Sequence, residues 1–175
     1  VDRANDSKAR VLVAFGLMDG YPEANLRHYT FMLEGLRETQ ASLEKRGIRM
    51  VVRRGHPAHV ALELGKDASL IVCDRGYLRH QKEWGLHVAM KSKCEVIQVE
   101  GDVVVPVDVA SSKCEYAART IRPKILRHLD DYLVDLKSVP LRKDSLGLRI
   151  EGIDLSDVSA ALRPLEIDRS VGPVS

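Results

Sequence analysis

Four short apolar runs, each followed by glycine or charge, constrain this chain more than any other feature. They are Val11–Gly16, Ile48–Val52, Leu70–Cys73 and Val96–Val99. Each is too short for a helix and mostly apolar, the mark of a strand buried on both faces. Helical patterns separate them. Pro22-Glu23 opens one that continues to Arg46, with Leu26, Tyr29, Leu33, Leu36 and Leu43 at i+3/i+4 spacing and Gly47 as its stop. Pro57 opens a second, with Val60, Ala61 and Leu64 on one face. A third carries Trp84 and Val88, with Leu78 near its start, and reaches about Ser92. A last long helix is predicted from about Cys114 to Leu136, after a short extra apolar run at Val103-Val104-Val105. Strand–helix alternation with such turns predicts an α/β fold, a doubly wound and mostly parallel sheet.

After Ser138 the periodicity fades. Asp154-Leu155-Ser156-Asp157 is expected to cap one short helix over Val158–Leu162. Pro140, Pro164 and Pro173 mark the remainder as a linker wrapping the domain surface. The predicted organisation is therefore a domain over 1–137 and a linker over 138–175.

Bulk properties remove several function classes. Lys and Arg total 27 against 25 for Asp and Glu, a net charge of +2 that drives no partner of either sign. Cys73, Cys94 and Cys114 are odd in number and form no CxxC, which argues against a disulfide framework or zinc site. A reducing compartment follows: cytoplasmic, or nuclear or organellar in a eukaryote. No apolar run approaches the roughly 20 residues of a membrane helix, so no membrane partner is expected.

In an open parallel sheet, ligands bind beyond the carboxyl ends of the strands. Here those ends are Phe15-Gly16-Leu17-Met18-Asp19, Arg53-Arg54-Gly55, Cys73-Asp74-Arg75-Gly76-Tyr77 and Glu100-Gly101-Asp102. All four contain glycine, as a backbone approached by a ligand requires, but plain chain turning selects the same residues. The candidate cofactor-binding set is Phe15, Gly16, Leu17, Arg53, Asp74, Arg75, Gly76, Tyr77, Glu100 and Asp102. Asp74-Arg75-Gly76-Tyr77 is the most pointed cluster: carboxylate, guanidinium and phenol together can grip a planar heteroaromatic ring. The competing reading is a local Asp–Arg pair ordering the turn. His56 and His59 are three apart but lack a third ligand nearby, so they read as exposed polar residues. Arg119, Arg122, Lys124 and Arg127 read as a solvated or linker-contacting face. No P-loop, GxGxxG or GxSxG is present, nor a nucleophile–base pair. No catalytic residue and no metal ligand is assigned.

Specific runs add a resemblance. Val13-Ala14-Phe15-Gly16-Leu17 with Pro22-Glu23-Ala24-Asn25-Leu26-Arg27-His28-Tyr29, then Val51-Val52-Arg53-Arg54-Gly55, resemble successive segments of class II cyclobutane pyrimidine dimer photolyases. So do Val72–Arg79, Gln98–Val107 and Glu115–Ile125. Asp144–Leu148 and Asp168–Val171 resemble the interdomain linker of that family. The resemblance implies a Rossmann-like photolyase/cryptochrome α/β domain that serves as scaffold and, in many relatives, holds an antenna chromophore of deazaflavin or folate type. It implies a separate helical domain carrying FAD, which binds damaged DNA and splits the dimer under blue light. Without that domain this chain is expected to be inactive. It also implies that Val1–Arg10 ends a first helix, whose strand would lie upstream and at the centre of the sheet.

Two other readings share the layout: a stand-alone nucleotide-binding module of the universal-stress type, and an interaction scaffold without ligand. Nucleotide modules usually carry a glycine-rich phosphate loop after the last main strand. The carboxylates of Glu100 and Asp102 sit at that point and would repel phosphate.

Overall fold

The structure is a computed structural model and describes residues 1–173; Val174 and Ser175, the end of the expected linker, lie outside the described residues. The chain forms two compact units. One joins Val1–Asp67 with the chain from Val139 onward; the other is Ala68–Ser138.

In the first unit, β1 (Leu12–Leu17) and β2 (Arg49–Arg54) pair in parallel, with Leu12 opposite Arg49 and Leu17 opposite Arg54. Parallel neighbours need a long crossover, and α2 (Leu26–Glu44) supplies it. α2 begins four residues later than the expected start at Pro22. Asn25 takes the capping position: its side chain accepts from the Arg27 N–H at 3.1 Å, and its own N–H donates to His28 Nδ1 at 3.2 Å. Glu23, at φ +62°, is in a left-handed turn that no helix can include. At the other end Gly47, at φ +73°, turns the chain into β2 as expected. α1 (Asp2–Asp6) precedes β1, and α3 (Pro57–Leu64) follows β2 and packs on β1. Asn5 of α1 is buried; its Nδ2 donates to the Pro140 carbonyl at 3.0 Å and its Oδ1 accepts from the Arg142 N–H at 2.9 Å.

The expected surface linker proves to be part of the interior. Leu17, Tyr29, Leu33, Met50 and Val52 form one core cluster with Leu155, Val158, Ala161, Leu162 and Leu165, half of it from the tail. Burying such side chains contributes about 1.5–3 kcal/mol each. Backbone bonds hold the tail in register: the Ile153 N–H donates to the Val52 carbonyl at 2.7 Å, and the Leu26 N–H donates to the Asp168 carbonyl at 2.7 Å. Ser145, with no exposed surface, accepts from the Arg49 N–H at 2.7 Å through Oγ. The short helix α7 (Val158–Leu162) lies where the sequence placed it, and Asp157 caps it by accepting from the Ala160 N–H at 3.0 Å.

In the second unit, β3 (Leu70–Asp74) and β4 (Glu95–Val99) are parallel, Leu70 opposite Glu95 and Asp74 opposite Val99, with α4 (Arg79–Lys91) as crossover. The Val103–Val105 run forms no strand; Val105 is buried in a turn before α5 (Val107–Ala110). α6 spans Ala118–Tyr132, shorter than the expected 114–136 at both ends. Ala117 is extended and Leu133, at ψ +73°, has left the helical region. The strands are parallel as expected. Among the described residues β1 pairs with β2 alone and β3 with β4 alone.

Two glycines test the packing in opposite directions. A Cβ on Gly16 would lie 2.5 Å from Pro57 Cα, a backbone atom that cannot yield, so Gly16→Val should cost about 1–3 kcal/mol. Gly35 is exposed on α2 with nothing near its Cβ position, so Gly35→Ala should gain roughly 0.5–1 kcal/mol. Urea midpoints that move the same way for both would contradict this packing.

Candidate functional site

The mouth of β3 and β4 is built around one carboxylate. The ladder runs one step beyond the strands, because the Arg75 N–H donates to the Val99 carbonyl at 2.8 Å. That step brings the two exit loops side by side. The Tyr77 hydroxyl donates to Glu100 Oε1, and the Val107 N–H donates to the same oxygen at 2.9 Å. Arg75 Nη1 donates to Glu100 Oε2 at 3.2 Å and pairs with Asp108 at 2.7 Å. The Glu100 side chain is only 11% exposed, so these bonds stand in for most of its water. Gln81, in the first turn of α4, accepts from the Tyr77 and Leu78 N–H groups at 3.1 Å each and fixes the loop from the other side. Gly101 keeps the second loop bare: a Cβ there would sit 3.6 Å from the Asp74 carboxylate.

Protonation follows from these contacts. The hydrogen bond to Glu100 pushes the Tyr77 phenol up to about 12. The same bond, then the Val107 N–H, holds Glu100 below the usual carboxylate range. Arg75 does the same to Asp108. The mouth therefore presents a neutral phenol, a charged guanidinium and ionised Glu100 and Asp108 at neutral pH. The local Asp–Arg pair entertained from sequence is not the arrangement found. Arg75 pairs with Glu100 and Asp108, because adjacent strand residues point to opposite faces. Asp108 was missed by the sequence reading, although an acid just after Pro106 is a helix-start signal.

The mouth of β1 and β2 lies in the first unit. Leu17 is buried in the core and offers its carbonyl, which accepts from the Gly55 N–H at 2.7 Å. Phe15 packs against the same core, and Gly16 lies against Pro57. Arg53 donates to the Glu151 carbonyl at 3.0 Å and to Glu63 at 3.0 Å, so it fastens the tail. Arg54 forms a two-pronged pair with Asp19, which also accepts from the Glu166 N–H at 3.0 Å. Burial works to raise the Asp19 pKa, but the hydrogen bonds from Arg54 and Glu166 outweigh it and lower it. Of the candidate residues, the structure brings Arg75, Tyr77 and Glu100 into one bonded cluster beside Asp74, Gly76, Gly101 and Asp102. Phe15, Gly16, Leu17 and Arg53 are placed in the packing of the first unit.

A second polar cluster escaped the sequence reading. Lys124 of α6 donates to Glu115 and to Ser111 Oγ at 3.1 Å, and Ser111 donates to Glu115 at 2.8 Å. The bond from Lys124 drops the Glu115 carboxyl to about 2. No spacing rule pairs residues nine apart across a loop, so nothing in the sequence marked it. His56 and His59 sit with ring centroids 4.9 Å apart. Among the described residues, no helix is long and apolar enough to cross a membrane.

This parallel α/β chain can be set against known proteins. The profile of the DNA photolyase family matches residues 1–142, and the chain belongs to that family. Its relatives carry one name. It is 44% identical to the deoxyribodipyrimidine photo-lyase of Methanothermobacter thermautotrophicus, over 98% of this chain and 38% of that protein. The photo-lyases of Potorous tridactylus and Arabidopsis thaliana are 34% and 35% identical, over 93% and 85% of this chain and 31% of each relative. The chain thus spans about a third of the length of the curated relatives it matches. A universal stress protein in complex with cAMP shares 20% identity at a TM-score of 0.38, which carries no argument. The stress-protein alternative gains nothing from it.

Glu100→Gln removes the charge that holds the Tyr77 proton. In a tyrosinate absorbance titration, the Tyr77 midpoint should fall from about 12 towards its ordinary value near 10. The sign for stability follows. The folded state keeps a proton that the unfolded state loses, so the Tyr77 contribution is complete below pH 10 and is lost as pH rises towards 12. A titration unchanged by Glu100→Gln would contradict the bonded cluster.

Proposed function

We propose that this chain is the N-terminal α/β domain of a light-dependent lyase that splits cyclobutane pyrimidine dimers in DNA. One observation carries the reading: the alignment to a deoxyribodipyrimidine photo-lyase covers 98% of this chain but 38% of the relative. On this reading the electron-donating FAD, and the surface that binds damaged DNA, belong to a helical domain beyond Ser175. The role of this domain is scaffold and antenna. A strand upstream of Val1 would cover the free edge of β1. No residue described here is assigned to the flavin or to the dimer.

The residues at the mouth of β3 and β4 suit an antenna chromophore of deazaflavin or folate type. Gly101 leaves backbone open to a flat ring, whereas Gly76 lets the Gln81 side chain close against the loop. Asp74 and Asp102 accept hydrogen bonds from ring N–H groups, and the Tyr77 phenol, fixed through Glu100, supplies an edge or face for stacking. Such a group, when bound, absorbs light and passes the excitation on. The protein's part is to hold it at fixed orientation. Arg75 and Tyr77 are already held by Glu100, so ordering them at binding costs little side-chain entropy.

A repair assay tests the reading. The full-length protein, reduced and illuminated with blue light, should restore dimer-containing DNA, and the 175-residue chain alone should not. Repair by the short chain, or none by the long one, would overturn the assignment.

A further inference from the structure

We propose that Gln81 is a ligand-binding residue of the β3–β4 mouth, where its side-chain NH2 group donates to a ring carbonyl of the bound heterocycle. The inference rests on the reading of that mouth as an antenna site, and it names a feature the ligand must carry. Gln81 is the third residue of α4, and its Oε1 accepts from the Tyr77 and Leu78 N–H groups at 3.1 Å each. Those two bonds decide which way the amide faces. Turned over, it would set its own donors against two further donors. The NH2 group is therefore directed away from the loop backbone. Among the described residues nothing accepts from it, and the nitrogen is not sealed from solvent. The residue as a whole is half-buried, where a hydrogen bond is stronger than in open water. Gly76 makes room for this placement: a Cβ there would fall 2.4 Å from Gln81 Cβ and 2.7 Å from Oε1.

The rest of the mouth selects what this donor meets. The Tyr77 proton is committed to Glu100, and Arg75 is held between Glu100 and Asp108. Asp74 and Asp102 offer acceptors. A fixed neutral donor in the same mouth as such acceptors matches a lactam edge, a ring carbonyl next to a ring N–H. Deazaflavin and folate rings both carry that edge. An adenine ring has no carbonyl and would leave the Gln81 donor unmet.

The test measures binding of deazariboflavin and, separately, of methenyltetrahydrofolate to the full-length protein and to two variants. Gln81→Glu keeps an acceptor for the Tyr77 and Leu78 N–H groups but replaces the donor; Gln81→Met removes both. Gln81→Glu should weaken the bound probe roughly tenfold or more. It should also leave the Tyr77 midpoint at about 12, the mark of an intact loop. Full affinity in Gln81→Glu, with the loss confined to Gln81→Met, would assign Gln81 to the loop alone and overturn the proposal. A Tyr77 midpoint that falls in Gln81→Glu would overturn it too, because Glu would then not fill the place of the Gln81 acceptor. A wild-type protein that binds neither probe would remove the antenna reading and this inference with it. Dimer repair is scored separately. A protein that binds a probe through Gln81 and repairs nothing would refute the lyase reading and leave the contact standing.

Discussion

Two parallel strands leave their carboxyl ends side by side, and something must then join the two exit loops where the ladder ends. In the second unit that something is Glu100, which accepts from Tyr77, Arg75 and the Val107 N–H. It lies at the end of one strand and binds side chains from the end of the other. Bonds to an ionised carboxylate in a largely desolvated position are among the stronger polar contacts a protein makes. The orientation of Tyr77, the pairing of Arg75 with Asp108 and the start of α5 all meet at this group. The order of the mouth is therefore present without a ligand, as the antenna role proposed for it would require.

The first unit solves a different problem. A two-stranded sheet buries too little to hold alone, and independent stability needs further strands or packed helices. The tail supplies cover: Leu155, Leu162 and Leu165 enter the core beside Leu17, Leu33 and Val52. The Ile153 N–H and Ser145 Oγ attach the tail to β2. Arg53 and the Arg54–Asp19 pair, at the strand mouth, also reach tail residues. That mouth is stitched to the protein's own chain, whereas the β3–β4 mouth is stitched to itself.

The strands were legible to within one or two residues, because each was an apolar run bounded by glycine or charge. α7 was legible from Asp157 and the small apolar run after it. Helix ends were less so: Asn25 outcompetes Pro22 as the start of α2 through a side-chain cap that no periodicity reveals. The tail was read as surface because its core residues follow no single period. Leu155 and Leu165 lie outside α7, and Ser145 is a buried polar residue whose partner is 96 positions away. The β3–β4 site was legible as a set of residue types and not as a set of bonds. Adjacency suggested Asp74 with Arg75, while strand geometry sends Arg75 to Glu100 and to Asp108. The family was legible because its matching segments fall at those same strand ends and helix starts, in order along the chain.

The most direct measurement of the central claim is the action spectrum of dimer repair by the full-length protein loaded with a deazaflavin or a folate. Wild-type protein should show a repair band at the absorbance of the added chromophore, beyond that of the flavin alone. The triple variant Asp74→Ala, Arg75→Ala, Tyr77→Ala should lose that band and keep the flavin band. A chromophore band of unchanged height in the triple variant would place the antenna elsewhere and contradict the assignment of the β3–β4 mouth.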